Sequence, residues 1–290
     1  MYAASDGKYA LLIVNDSDPL NPRVDCDTLG RMVCWHSRYQ LGDPHDYDEP
    51  KDFLSGLYRR SIHDHGRNLV AHLKNHQAQG AYLEYNRGTH EWDLYVRNWW
   101  KTVLGGSEPD WEVAQSVPNS QLNDSSLFFD DMLDALTVSD LAKLLEQLED
   151  VVLLPLYLYD HTIQSISTTS FLGRAQHAEW DSGQVGYIYA SRDAIEKKYG
   201  AVTKDSVAQA EEVLTGEVAS FDCYLRGECY GFRLYEMGEE IDSCWGFLGE
   251  LNDLREDLRC TIPEECRALV DQLEWTCESE EAYLRKHNLA

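Results

Sequence analysis

The sequence predicts an α+β fold: a central, mostly antiparallel sheet with flanking helices and an inserted helical lobe. Three observations predict it. Short β-forming runs lie at both ends of the chain, apolar residues recur at helical spacing through the middle, and turn-rich segments separate the two. The chain has 290 residues, of which 43% are hydrophobic and 11% aromatic, enough apolar side chains for one large domain or two modest ones. That composition excludes a disordered polar chain, and no apolar run approaches the roughly 18 residues of a membrane span.

Taken in order, KYALLIVN (residues 8–15) reads as an opening strand stopped by the turn-rich NDSDPLNP. Between about Pro50 and Asn75, Phe53, Leu54, Leu57, Tyr58, Ile62, Leu69, Val70 and Leu73 recur three and four apart, as on amphipathic helices. Residues 89–104 carry Trp92, Leu94, Tyr95, Trp99, Trp100 and Val103, which predicts a further helix with an aromatic face. A connector follows over 105–126, and helical spacing resumes from Leu127 to Leu148, with Ser139 as N-cap.

In the second half, VVLLPLYLY (151–159), residues 163–169 and QVGYIYA (184–190) read as strands. Ser191 caps a short helix that stops at Gly200, and Thr203 caps a longer one reaching about Tyr224. Residues 228–235 and 240–247 form a hairpin turning at Met237-Gly238, and an amphipathic helix runs from Pro263 to about His287. Strands from both ends are expected to share one sheet. The core domain is thus assigned to 1–61 and 149–290, with 62–148 as the inserted helical lobe.

Charge follows this division. The chain has 51 acidic and 25 basic residues, a formal net charge of -26. From Asp205 to Ala282 there are 21 acids and five arginines, whereas Arg59 to Lys101 holds seven basic residues, four acids and five histidines. Such a surface repels nucleic-acid phosphates and anionic membranes and favours basic partners, including the grooves of nucleic-acid enzymes. Acids one helical turn apart stand about 6 Å from each other, close to the spacing of phosphates along a strand. Glu211, Glu212, Glu217, Glu239, Glu240, Glu250, Asp253, Glu256, Asp257, Glu264 and Glu265 are the candidates for that face. Acidic amphipathic helices are equally ordinary solvated surface.

Chemistry-bearing residues gather in four places: Asn21-Pro22-Arg23 through Asp43, Tyr159-Asp160-His161, Trp180-Asp181-Ser182-Gly183-Gln184-Val185-Gly186, and Asp242-Ser243-Cys244-Trp245-Gly246. Asp25, Asp27, His36, Asp160, His161 and Asp181 would suit a divalent metal for phosphodiester hydrolysis, and Cys244 with His161 a nucleophile and base. The same motifs also read as turns, strand ends and core aromatics. His72 and His76, with His63 or His65, have the spacing of zinc ligands on one helical face and equally that of surface histidines in a basic lobe. Arg59, Arg60, Arg67 and Lys74 add charge there, and Trp99 and Trp100 are candidate interface anchors. Dinucleotide, phosphate-loop, zincin and serine-hydrolase fingerprints are absent. The eight cysteines show no C-x-x-C pair, and the first residues lack a basic and apolar leader, so reduced thiols in a cytoplasm are expected.

At NPRVDCDTLGRMVCWHSRYQLGD, LPLYLYDH, WDSGQVGYIY, YLRGECYGFRLYE and DSCWGF the sequence resembles a family of proteins associated with bacteriophages and mobile genetic elements. The resemblance spans both ends of the chain and marks about 62–148 as an insertion relative to shorter relatives. It implies no reaction, but it implies a counter-defence role. The expectation is a non-enzymatic inhibitor whose acidic, DNA-mimicking surface occupies a basic groove of a CRISPR effector or restriction nuclease in the host cytoplasm. It would bind no DNA directly, enter no membrane and need no metal or cofactor. The alternative is a metal-dependent hydrolase of a nucleotide or nucleic acid.

Overall fold

The computed structural model describes residues 1–61, 65–98, 110–122, 126–148 and 150–289. The fold is α+β with antiparallel sheets, and its internal contacts divide it into two units. Unit 1 comprises Met1–Gly30, Pro155–Val185 and Glu212–Ala290, and unit 2 comprises Arg31–Leu154 and Gly186–Glu211. The expected boundaries at 61/62 and 148/149 both fall inside unit 2. Among the described residues no helix is long and apolar enough to cross a membrane.

Unit 1 is built on a five-stranded sheet containing β1 (Tyr2–Ser5), β2 (Tyr9–Asn15), β10 (Cys229–Glu236), β11 (Glu239–Leu248) and β12 (Glu274–Trp275), in the order β11-β10-β2-β1-β12. Both ends of the chain do share this sheet. β2 reads as an unbroken apolar run, Ala10-Leu11-Leu12-Ile13, because both of its faces are covered. Leu11 and Ile13, with Ala4, Phe232 and Leu234, pack against Leu254 and Leu258 of the helix Leu251–Thr261 and against Leu269 and Val270. The alternate residues Ala3, Ala10, Leu12 and Tyr235 meet Tyr283, Leu284 and Leu289 at the C-terminus. Met237 and Gly238 turn the β10–β11 hairpin with φ of 49° and 92°, as a two-residue primed turn requires. At Gly231 a Cβ would overlap the Trp245 ring across the hairpin, so the glycine makes room for that indole.

The segment from Pro263 onward is not one helix. A single 3-10 turn, Glu264–Cys266, is followed by a four-residue helix, the short β12, and a last helix, Glu280–Lys286. The C-terminal apolar residues are spaced to cover two sheet faces in turn, which one straight helix does not do.

Unit 2 gathers α1 (Pro50–Ser61), α2 (His65–Lys74), α3 (Ser126–Asp134) and α4 (Val138–Glu146) with a three-stranded sheet of β4 (Ala81–Asn86), β5 (Glu91–Asn98) and β6 (Asp110–Pro118). This corrects the reading of 62–148 as a helical lobe, since a three-stranded sheet forms part of it. Residues 91–98 form a strand whose Trp92, Leu94 and Val96 alternate with Asp93, Tyr95 and Arg97, and part of the expected connector is β6. The core joins Phe53, Leu57, Leu69, Leu73, Leu83, Leu94, Phe128, Leu141 and Leu145. The N-cap of α4 is Thr137 rather than Ser139: its hydroxyl accepts from Asp140 N, and Asp140 returns a bond to Thr137 N.

β3 (Arg31–Cys34) pairs antiparallel with β9 (Ser182–Ala190), matching Cys34 with Gly186. A Cβ at Gly186 would overlap the Val33 carbonyl oxygen, so only glycine allows this approach. β7 (Val152–Asp160) and β8 (Gln164–Ser167) form a hairpin in unit 1, with Tyr159 opposite Ser165. The helix α5 (Ala178–Asp181) precedes β9. Further on, α6 (Arg192–Tyr199) starts at the Ser191 cap and stops at Gly200, and α7 (Lys204–Arg226) begins after Thr203. The helix Leu251–Thr261 is α8, Ala268–Asp271 α9 and Glu280–Lys286 α10.

Candidate functional site

The β7–β8 hairpin presents the first chemistry. Its register puts Tyr159, Asp160 and His161 at the end of β7, and α5 carries Asp181 to the same place. His161 Nδ1 stands 2.9 Å from Asp181 Oδ2, which fixes the plane of a half-exposed imidazole. Tyr159 donates its hydroxyl to the Gln176 carbonyl at 2.9 Å and stacks on Phe171, with centroids 5.5 Å apart. Arg174 lies over Phe171 and donates to the carbonyls of Ser170 and Thr169. Behind them, Asp222 accepts from Ser165 Oγ and Ile166 N, both at 2.7 Å, tying β8 to α7. Arg226 is held by Glu228 at 2.5 Å and by Asp222 at 3.5 Å. Burial pushes the Glu228 carboxyl above its ordinary pKa, with Glu250 and Asp222 adding to the rise, against the pull of Arg226.

Of the six residues considered for a metal-dependent hydrolase, the structure joins His161 and Asp181. Asp25 and Asp27 are exposed in unit 1, and Asp25 Oδ2 accepts from Asn21 N in a local turn. His36 belongs to unit 2, where its Nδ1 accepts from the N–H groups of Arg38 and Tyr39 and its ring stacks on Tyr39. Asp160 faces Gln164 across the hairpin. Among the described residues no three or more His, Cys, Asp or Glu side chains are grouped so as to hold a metal ion. Cys244 Sγ lies 3.8 Å from the Trp245 carbonyl oxygen, and the side chain packs on the core beneath α8.

The histidine cluster also differs from its expectation. His63 lies outside the described residues, as does the His65 side chain. Helix α2 ends at Lys74, so His72 and His76 do not share a helical face. His76 takes a left-handed conformation with φ of 53° and stacks on Tyr82, while His72 is buried. Burial holds the His72 pKa below its ordinary value, against Asp140 and Gln77, which favour the charged ring, and among the described residues neither ring nitrogen meets a partner at hydrogen-bond geometry. In the same lobe, Arg59 pairs with Asp130 and Lys74 covers the Trp92 ring. Trp99 and Trp100 lie outside the described residues, as does the Arg67 side chain.

The acidic candidates divide into two kinds. Glu217 is structural: its carboxylate accepts from Arg23, Leu29 N and Gly30 N, while Arg23 also donates to the Gly30 carbonyl, so one buried ion pair pins the 21–30 loop. The NPR motif is explained by this anchor, a pairing across 194 residues that no local spacing signals. Glu211 and Glu212 are exposed on α7, and Glu239 and Glu240 are exposed at the start of β11, with Glu240 near Arg233 and the Tyr235 hydroxyl. Glu250 precedes α8 and lies 3.8 Å from Arg226; Glu256 pairs with Arg259. Asp253 and Asp257 are exposed on α8, and Glu264 and Glu265 are exposed on the turn after it. Glu250, Asp253 and Asp257 lie three and four apart, hence along one side of the helix. Compared with family models, curated proteins and solved structures, the chain matches none of them.

Proposed function

We propose that the chain is a non-enzymatic inhibitor made by a phage or mobile element. It binds a basic groove of a host nucleic-acid-targeting defence complex, a CRISPR effector or restriction nuclease, through an acidic surface that stands in for DNA. The observation that carries this reading is the charge of unit 1, 27 acidic against 10 basic residues, together with exposed acids at helical spacing from Glu250 to Glu265. Carboxylates in such a row offer a basic groove the electrostatic pattern of a phosphate strand. The resemblance at the five sequence motifs supports the same origin. The reading places the protein in the host cytoplasm and calls for no cofactor.

The test is direct binding of the purified chain to purified CRISPR effectors and restriction nucleases, with cleavage assayed in parallel. Inhibition should come with affinity that falls steeply between about 50 and 500 mM salt, as the Debye length shrinks several-fold. The quadruple charge reversal Asp253→Lys, Asp257→Lys, Glu264→Lys and Glu265→Lys should abolish it. Salt-independent binding, or full inhibition by the reversed variant, would remove charge mimicry.

The His161–Asp181 pair favours a second reading, a hydrolase in which His161 takes a proton from water while Asp181 holds the ring. It predicts turnover of a phosphoester or carboxylic ester that His161→Ala eliminates. Unaltered turnover in that variant would exclude it.

A further inference from the structure

Unit 1 contains an open groove of about 590 Å³ lined by Tyr159, His161, Ser165, Phe171, Arg174 and Arg226, with His161 and Arg174 at its exposed rim. That is the size in which small ligands are bound. In a chain with 51 acidic residues, none of the residues lining this groove is acidic. Two kinds of wall meet in it. One is aromatic, the stacked Tyr159 and Phe171 rings, inclined by 28°. The other is cationic or proton-donating.

The charges on that second wall are unequal. Arg226 is tied to Glu228, Asp222 and Glu250, which more than cancel its charge, so it offers oriented N–H groups rather than a free cation. Arg174 donates to carbonyl oxygens of Ser170 and Thr169 at 2.8 and 2.7 Å and to Ser167 Oγ at 3.4 Å. These acceptors are neutral, so they orient the guanidinium and leave its charge uncancelled. His161 is oriented through Nδ1 by Asp181, which leaves Nε2 as the second polar edge of the ring.

We propose that this groove binds a small aromatic anion, a ring carrying one phosphate or carboxylate group. Its ring lies against Tyr159 and Phe171, and its anionic group meets Arg174 and His161. The anionic group is assigned to Arg174 because it is the lining guanidinium with no carboxylate partner among the described residues, and the 27 acids of unit 1 disfavour ligands that carry further anionic groups. The site does not rest on either functional reading above. It shares no residue with the acidic surface, and it requires binding without turnover.

Isothermal titration of the full chain at low salt, with adenosine monophosphate, phenyl phosphate and benzoate as probes, tests the proposal. At least one should bind at a single saturable site with Kd below about 1 mM, and comparing the phosphates with benzoate identifies the anionic group. The uncharged or ring-free counterparts (adenosine, benzyl alcohol, inorganic phosphate and acetate) should each bind at least tenfold more weakly than the ring anion that binds, and adenosine triphosphate more weakly than the monophosphate. Arg174→Gln should cost at least tenfold and Phe171→Leu about fivefold, at unchanged melting temperature. Because Arg174 also braces its loop, His161→Leu serves as the second variant if Arg174→Gln lowers the melting temperature, with the same expected loss. The proposal is overturned if none of the three ring anions binds the folded protein, if inorganic phosphate binds as well as its aromatic esters, or if the variants bind like the parent.

Discussion

The two units use carboxylates in opposite ways. In unit 2 the side chain of Asp140 is fully buried, yet it accepts from the N–H groups of Gln79, Gly80 and Thr137 and from the Thr137 hydroxyl. It stitches the start of β4 to the start of α4. In unit 1, Glu217 does the same for the 21–30 loop, but Asp253, Asp257, Glu264 and Glu265 stand exposed on and after α8. Acids that hold the chain are thus separable from acids that only charge its surface, and their removal should have very different effects.

The largest effect is expected at Asp140. Burial alone would raise its pKa, but the backbone N–H groups and the Thr137 hydroxyl outweigh burial and hold it below the ordinary value of 3.8. Asp140→Ala leaves the buried Gly80 N–H and the part-buried N–H groups of Gln79 and Thr137 without their acceptor and removes a capping box, a loss of about 3 kcal/mol in urea unfolding. The same depressed pKa makes this contribution complete above the unfolded value and progressively lost as pH falls below 3.8 toward the folded one. A loss under 1 kcal/mol would show that Gly80 and α4 are held by packing instead.

Glu217→Ala comes next, at about 3 kcal/mol, because it removes the carboxylate that balances the buried Arg23 guanidinium and the acceptor of two N–H groups. Hydrogen exchange at Leu29 and Gly30 should rise selectively. Protection unchanged there would mean that the loop is held without the ion pair.

What the sequence conveys separates along the same line. Strongly periodic or capped elements were legible: the buried β2 run, the Met237-Gly238 hairpin, the Ser191 and Thr203 caps, and chain ends sharing a sheet. The 91–98 strand was not, because its aromatic residues Trp92 and Tyr95 are three apart and mimic a helical face, while Asp93 is buried by bonds from Asn86 and Ser116 that lie on neighbouring strands. Beside the groove of unit 1, the motif residues His161 and Asp181 were visible and their pairing was not. Gly186 and Gly231 stood in motifs too, yet each is there because another part of the chain approaches too closely for a Cβ.

A third, smaller effect concerns His72, a buried polar side chain of unit 2. Burial keeps His72 neutral by lowering its pKa below 6.5, so the unfolded chain takes up a proton that the folded chain refuses. Stability should therefore decline as pH drops below 6.5. His72→Leu removes a polar ring from a buried position, and it should raise stability by about 1 kcal/mol at pH 7 and by more at pH 5. A loss of stability instead would mean that water or another group satisfies the ring.

The smallest effect is the one that bears on function. Asp253→Asn and Asp257→Asn change side chains that are exposed on α8, so each should shift stability by less than about 0.5 kcal/mol. The direction should be toward greater stability, since each removes one negative charge from a unit with 27 acids and 10 basic residues, and more clearly so at low salt. Like-charge repulsion is a cost that the fold bears without return. If these variants are as stable as expected yet lose binding to a basic partner, the surface acids are separated from the structural ones by experiment as well as by geometry. If instead either variant loses more than 1 kcal/mol, the α8 acids belong with Asp140 and Glu217, and their charge explains nothing about partners.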